Sequence, residues 1–147
     1  MNNSRKLFMC LPVPCQSLDK IIVKDVNVHD WQDLLDFLHT TNSVQEFYLN
    51  NRPSTLPTWV RDILIRKEPD RRMTIKLYNI ISVCRFTMAR TIDLDINPSE
   101  IITRDKERAL FSLISTIGLI LDKRVELVDI DANTLFAYVP GHGLTVP

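Results

Sequence analysis

Two pairs of aspartates are the residues in this sequence whose types and spacing could do chemistry. Asp93 and Asp95 lie in the stretch TIDLDI, and Asp129 and Asp131 lie in LVDIDA. Residues i and i+2 of a β-strand share one face, so each pair would bring two carboxylates side by side. Carboxylate oxygens are ligands that divalent cations prefer. One interpretation is therefore a divalent-metal enzyme that uses Asp93 and Asp95.

The same alternation accounts for these aspartates without a site. Ile92, Leu94 and Ile96 occupy the core side of the first strand, which leaves its two aspartates on the solvent side. No further acid, histidine or base clearly accompanies either pair. We therefore favour solvent-exposed strand faces, and we predict no metal, no cofactor and no catalytic residue.

The cysteines and histidines point to no site either. They are Cys10, Cys15 and Cys84, and His29, His39 and His142. The cysteines are odd in number and lack the paired spacing of a zinc site, so we expect three buried, reduced thiols. No histidine lies three or four residues from another, and no G-x-S-x-G motif is present. The sequence thus predicts a protein that is not an enzyme.

Composition excludes two further classes of function. The chain of 147 residues contains only three glycines, so a glycine-rich phosphate loop is excluded. No apolar run approaches the roughly 18 residues that a membrane-spanning helix needs. A single domain over residues 1–147 is expected, in a cytoplasmic location.

Charge is unevenly distributed along a chain whose 18 basic and 18 acidic residues balance. Residues 51–90 contain nine basic and three acidic residues, whereas both flanking segments are net acidic. The candidate phosphate- or lipid-binding patch lies in this basic middle, and Arg85 would extend it. The patch comprises Arg61, Arg66, Lys67, Arg71, Arg72 and Lys76.

Clustered cations of this kind attract the phosphates of RNA or of anionic lipid headgroups. An ordinary solvated loop, in which Glu68 and Asp70 offset part of the charge, is the alternative. A basic middle between acidic flanks would also permit head-to-tail self-association. The partners that we predict are therefore a second copy of the chain, nucleocapsid or RNA, and an anionic membrane surface.

Apolar spacing predicts three helices, with Asp30 and Thr103 as the expected N-caps of the first and third. Trp59 is expected in the core, and the alternative is that it contributes to head-to-tail self-association. The helical apolar positions are Trp31, Leu34, Leu35 and Leu38; Trp59, Val60, Ile63 and Leu64; and Ala109, Leu110, Leu113, Ile114, Ile117 and Leu121. A capping-box pattern of Ser43 with Glu46 predicts a further short helical turn.

Two-residue alternation predicts the strands. The longest is residues 85–96, with Arg90 as one intruder on its apolar side, and a turn is expected near residues 79–83. The other strands are residues 6–14, 19–26, 73–77, 124–130 and 135–140, and residues 140–147 are expected to form a loose tail. Clustered strands and helices, without steady βαβ alternation, predict an α+β fold with a mainly antiparallel sheet on two or three helices.

The C-terminal third resembles the matrix proteins of rhabdoviruses. The strand RTIDLDI leads into DKERALF, then GLILDKR, then a terminal hairpin, and the earlier stretch DVNVHDWQDLLDFL is similar to that family's early strand and helix. The resemblance implies a non-enzymatic viral protein that condenses nucleocapsids, binds the inner leaflet and self-associates in the host cytoplasm and virion. The chain has no PPxY-like motif, so self-assembly is implied more strongly than membrane budding.

These observations predict a viral structural or assembly protein of the matrix type. An RNA-binding accessory protein, such as a suppressor of host defence, would use the same basic patch and is the second interpretation. The metal enzyme built on Asp93 and Asp95 is the third.

Overall fold

One antiparallel sheet organises residues 19–146, the part of the chain that the computed structural model describes. Its strands are β1 (Asp19–Lys24), β2 (Val44–Leu49), β3 (Arg52–Pro53), β4 (Arg71–Leu77), β5 (Ile80–Arg85), β6 (Thr91–Ile96), β7 (Val125–Val128), β8 (Thr134–Val139) and β9 (Gly143–Thr145). The helices are α1 (Val28–Thr40), α2 (Arg61–Leu64) and α3 (Arg104–Leu121). The nine strands run in the order β3-β2-β4-β5-β6-β1-β7-β8-β9.

This architecture confirms the predicted α+β class. Every strand pairing is antiparallel, and the apolar stripes of α1 and α3 join the alternate inward residues of the strands in one core. The strand predicted over residues 6–14 lies outside the described residues, as do Cys10 and Cys15.

Helix α1 buries the four apolar residues that its spacing predicts. Its N-cap is Asn27, so the prediction that Asp30 is the N-cap is wrong. Asn27 accepts a hydrogen bond from the backbone of Asp30, and Asp30 in turn accepts one from the backbone of Asn27. This reciprocal capping box satisfies two backbone groups, which a single cap could not do.

Helix α3 begins as predicted, because Thr103 accepts a hydrogen bond from the backbone of Lys106 at 3.1 Å. Its inward face packs on β7 and β8, with the rings of Phe111 and Phe136 4.7 Å apart. Gly118 lies directly against the ring of Tyr138. The absence of a side chain at this position allows the helix to approach the sheet closely.

The long strand predicted over residues 85–96 is wrong in one respect, because residues 86–90 interrupt it. Phe86 turns into the core, where its ring lies 5.1 Å from that of Trp31. The indole N–H of Trp31 donates to the carbonyl of Ala89 at 2.7 Å. Arg90, the intruder in the alternation, lies in this exposed connection. Contacts with Trp31 of α1 thus interrupt the strand that the alternation alone predicts.

Three local predictions near turns need correction. Residues 44–49 form strand β2 and not the helical turn that Ser43 and Glu46 predicted. The β4–β5 turn consists of Tyr78 and Asn79, both with positive φ, which is the backbone conformation of a tight hairpin. The tail is not loose, because residues 143–145 add an edge strand to β8.

Candidate functional site

The six residues of the predicted basic patch do not form one surface. Arg71 lies on the core side of β4, and its Nη1 donates to the carbonyls of Ile63 and Leu64 at 3.0 and 3.1 Å. These carbonyls end α2, where the carbonyl of Ile63 also accepts from the backbone N–H of Arg66 at 3.2 Å. Arg71 therefore fastens α2 to the sheet and is not available to a ligand.

Two further members of the patch are held by neighbouring acids. Arg66 binds the carboxylate of Glu68, and this contact lowers the pKa of the glutamate. Arg72 pairs with Asp70 at 2.5 Å, and its guanidinium lies 4.8 Å from the ring centroid of Tyr48. The alternative interpretation, in which Glu68 and Asp70 offset the charge, thus describes these two arginines well.

The remaining cations, Arg61, Lys67 and Lys76, are exposed and form no ion pair with any residue in 19–146. Lys76 alternates with the buried residues Met73 and Ile75 of β4, so it lies on the sheet face away from the core. Arg61 and Lys67, by contrast, lie at the start of α2 and just beyond its end. These two free cations therefore flank the same short helix.

A hydrogen-bonded clamp holds the chain that enters α2. The side-chain oxygen of Gln32, on α1, accepts from the backbone N–H of Val60 at 2.8 Å. Its side-chain nitrogen donates to the carbonyl of Thr58 at 2.9 Å and to Asp36 at 2.8 Å. Val60 itself is fully buried. Trp59 lies between the two clamped residues, so its side chain is directed outward.

The prediction that Trp59 lies in the core is therefore wrong, since 58% of the residue is exposed. Ile65, at the end of the same helix, is 74% exposed. We call the group of Trp59, Arg61, Ile65 and Lys67 the Trp59 surface. It comprises two large exposed apolar side chains and two exposed cations within nine consecutive residues, and the exposed Asp62 offsets part of their charge.

A cleft opens between Trp59 and the first turns of α1. It has a volume of about 340 Å³ and is lined by Val28, His29, Gln32, Trp59 and Arg61. Val28 is 42% exposed although it is apolar. The cleft therefore extends the Trp59 surface onto α1.

The first aspartate pair is engaged in ion pairs on the sheet face that Lys20 and Arg85 share. Lys20 lies 3.2 Å from Asp93 and 3.7 Å from Asp95, and Arg85 lies 3.7 Å from Asp95. Asp95 was predicted to be exposed, but only 9% of it is accessible, and this burial raises its pKa. Asp93 remains partly exposed, as predicted.

The second pair has a local role in a turn. Asp129 accepts hydrogen bonds from the backbone of Asp131 and of Asn133, both at 2.9 Å. Such contacts are what aspartate favours at turns. Burial of Asp19 raises its pKa to about 6, and the negative charge of Asp129 adds to this increase.

The described residues contain no group of three or more His, Cys, Asp or Glu side chains that could hold a metal ion. Cys84 is a free, fully buried thiol, and burial raises its pKa. No helix within residues 19–146 is long and apolar enough to cross a membrane.

Sequence reasoning included Arg61 and Lys67 in the candidate patch but favoured burial of Trp59 and missed the role of Gln32. The signal in the sequence is the proline-containing loop around residues 53–57, after which Trp59 lies just before the very short helix α2. Comparison of the chain with protein-family models, with curated proteins and with solved structures finds no match.

Proposed function

We propose that this chain is a non-enzymatic assembly protein of the matrix type, which attaches to anionic membrane surfaces through the Trp59 surface and self-associates. The observation that carries the proposal is the clamped, exposed Trp59, which lines one cleft with Arg61 and is followed by the exposed Ile65 and Lys67 just after α2. An exposed tryptophan on a mobile loop could fold back onto the protein. Here the backbone on both sides of Trp59 is hydrogen-bonded to Gln32, so the indole is presented to whatever docks there.

This combination of side chains suits the boundary between lipid headgroups and acyl chains. Tryptophan is enriched at that boundary because its ring is amphipathic. Apolar side chains that enter the boundary lose contact with water, and nearby cations are attracted to anionic headgroups. The proposed attachment is shallow, with Trp59 and Ile65 inserted and Arg61 and Lys67 at headgroup level.

The energy available to one copy is modest. Two cations near an anionic surface contribute roughly 1 kcal/mol each, and burial of two partly exposed apolar side chains adds roughly 1–2 kcal/mol each. The sum of about 4–6 kcal/mol corresponds to a dissociation constant of roughly 0.04–1 mM. Linking copies raises the effective affinity without a new contact. Self-association would therefore make weak membrane contacts useful, and it is part of the proposal.

Two features support self-association and the matrix class. The uneven charge of the chain, with a basic middle between acidic flanks, supports self-association because opposite charges on two copies attract each other. The resemblance of the C-terminal third to matrix proteins points to the same class, with nucleocapsid as the further partner and the host cytoplasm and virion as the location.

Vesicle flotation tests the proposal. The chain should float with vesicles that contain phosphatidylserine and not with neutral ones, and the bound fraction should fall as salt rises. RNA added as a competitor should leave flotation largely intact. Displacement by RNA would favour the RNA-binding interpretation that shares the basic patch. Indifference to both vesicles and RNA would overturn attachment through this surface.

Variants of the Trp59 surface make the test local. Trp59→Ala, Arg61→Glu and Lys67→Glu should each reduce flotation, and Asp62→Asn should increase it because it removes the opposing charge. Leu119→Ala and Arg108→Glu are matched controls, since both residues are exposed on α3 and outside the surface. Equal losses in the controls would show that bulk charge or hydrophobicity, and not this surface, governs binding.

Self-association is measured separately by sedimentation velocity, with and without vesicles. Concentration-dependent assembly is the expected result. A chain that stays monomeric at all concentrations, free and bound to vesicles, would contradict the assembly part of the proposal.

A further inference from the structure

We infer that the cleft beside Trp59 is a binding site for a single amphipathic anion, an apolar chain or ring that carries a phosphate or carboxylate. The inference rests on the proposed function and deepens it, because it names the ligand chemistry of the same surface. Lipids and free amphiphiles share this chemistry.

The walls of the cleft are apolar where a ligand's body would lie. Trp59 and Val28 face the opening, and both are partly exposed although they are large apolar residues. Gln32 lines the floor, yet its amide oxygen and nitrogen are already bound to Val60, Thr58 and Asp36. The floor thus offers little to a polar ligand, and an apolar one would cover surface that water now wets.

The polar groups at the rim select an anion. Arg61 and His29 line the cleft, and neither side chain forms an ion pair or hydrogen bond with any residue from 19 to 146. A guanidinium binds phosphate and carboxylate oxygens in a bidentate manner. The head of the ligand therefore lies at Arg61 and its apolar part lies along Trp59.

The volume limits the size of the ligand. Sites for small molecules typically occupy about 300–1,000 Å³, and the cleft lies at the lower end of this range at about 340 Å³. One chain or one ring can be accommodated, whereas the rest of a lipid would remain outside. The ligand class is consequently a single-chain anion or one chain of an anionic lipid.

The fluorescence of Trp59 reports on occupancy. The only other tryptophan, Trp31, is buried against Phe86 and should respond little. Dodecyl phosphate, titrated below its critical micelle concentration, should shift the emission maximum of Trp59 to shorter wavelength. This shift should reach a plateau as the cleft is filled. Dodecyltrimethylammonium and inorganic phosphate, which supply only the chain or only the head, should not saturate.

Variants locate the site. Arg61→Glu should weaken dodecyl phosphate binding roughly tenfold or more, and Val28→Asp should weaken it similarly by placing an anion in the apolar wall. Arg108→Glu, on α3, should leave binding unchanged. Equal affinity in all three variants would place the ligand elsewhere and would overturn the inference.

The two proposals can fail separately. Ile65 does not line the cleft, so Ile65→Ser should leave dodecyl phosphate binding intact. The same variant should weaken vesicle flotation, because it removes an apolar side chain that is proposed to insert. If the unmodified chain floats with vesicles but shows no saturable fluorescence shift, the ligand site in the cleft is refuted and membrane attachment is not. Saturable, Arg61-dependent binding without flotation would support the cleft as a site for free amphiphiles and refute membrane attachment.

Discussion

Gln32 binds the backbone of Val60, 28 residues further along the chain, through a hydrogen bond of 2.8 Å. This contact, together with the one from Gln32 to Thr58, decides that Trp59 is exposed. Val60 is fully buried, and Gln32 provides the acceptor for its backbone N–H. The same side chain thus contributes both to stability and to the shape of the proposed binding surface.

Gln32→Ala should lower the free energy of unfolding by about 1–3 kcal/mol, because a buried N–H loses its acceptor. It should also weaken vesicle binding, since the segment that carries Trp59 would no longer be held. Urea denaturation and flotation measure the two effects. Gln45→Ala is the control, because Gln45 is exposed on β2, and equal effects of both variants would contradict the clamp.

Arg71 and Lys67 should separate folding from binding. Arg71→Ala removes the donor to the last carbonyls of α2, and we expect it to lower the free energy of unfolding by about 1–3 kcal/mol. Lys67→Ala should change stability by less than about 0.5 kcal/mol, because its side chain is exposed. Flotation should nevertheless fall for Lys67→Ala. A stability loss for Lys67→Ala equal to that for Arg71→Ala would refute the assignment.

Gly118→Ala should destabilise the fold although alanine favours helices. A Cβ at this position would lie 2.0 Å from Cδ1 of Tyr138, so the helix or the ring must shift. Overpacking of this kind costs typically about 1–3 kcal/mol, which outweighs the gain of roughly 1 kcal/mol in helix propensity. Thermal and urea unfolding measure the difference.

A double-mutant cycle checks the cause of that loss. Tyr138→Leu removes the ring that the new Cβ would strike, so Gly118→Ala should cost less in that background. Ser112→Ala, on the exposed side of α3, is the control for helix propensity and should not destabilise. Additive effects of the Gly118 and Tyr138 variants would rule out the steric explanation.

Asp19 should make the fold less stable as pH rises from about 4 to above 6. Its pKa is about 6 in the folded chain because of burial and the charge of Asp129, against an ordinary value of 3.8. Between these values the folded state binds more protons than the unfolded state, so stability decreases with pH. The difference of about two pKa units corresponds to roughly 3 kcal/mol.

Asp19→Asn isolates this contribution from those of other acids. The free energy of unfolding of the variant, minus that of the unmodified chain, should increase by roughly 2–3 kcal/mol between pH 4 and pH 7. Urea denaturation at several pH values provides the curve. A difference that stays constant over this range would show that the carboxyl of Asp19 is not held in a desolvating environment.

The sequence by itself determined the helices α1 and α3, the terminal hairpin and the α+β class. Helical faces follow from residues three and four apart, and Thr103 caps α3 through atoms only three residues away. Strand β6 likewise buries Ile92 and Leu94 as alternation requires. These features depend on local periodicity and local hydrogen bonds, which a sequence contains in full.

Only the tertiary structure decided what the basic segment offers to a partner. Arg71 and Lys67 are both cations of the basic segment, yet Arg71, in β4, donates to the carbonyls that end α2 and the exposed Lys67 does not. The interruption of the predicted strand at Phe86 likewise depends on Trp31, which is 55 residues earlier. Exposure of Trp59 depends on Gln32 of helix α1, 27 residues earlier. In each case the deciding partner is distant in sequence, and no spacing of neighbouring residues carries that information.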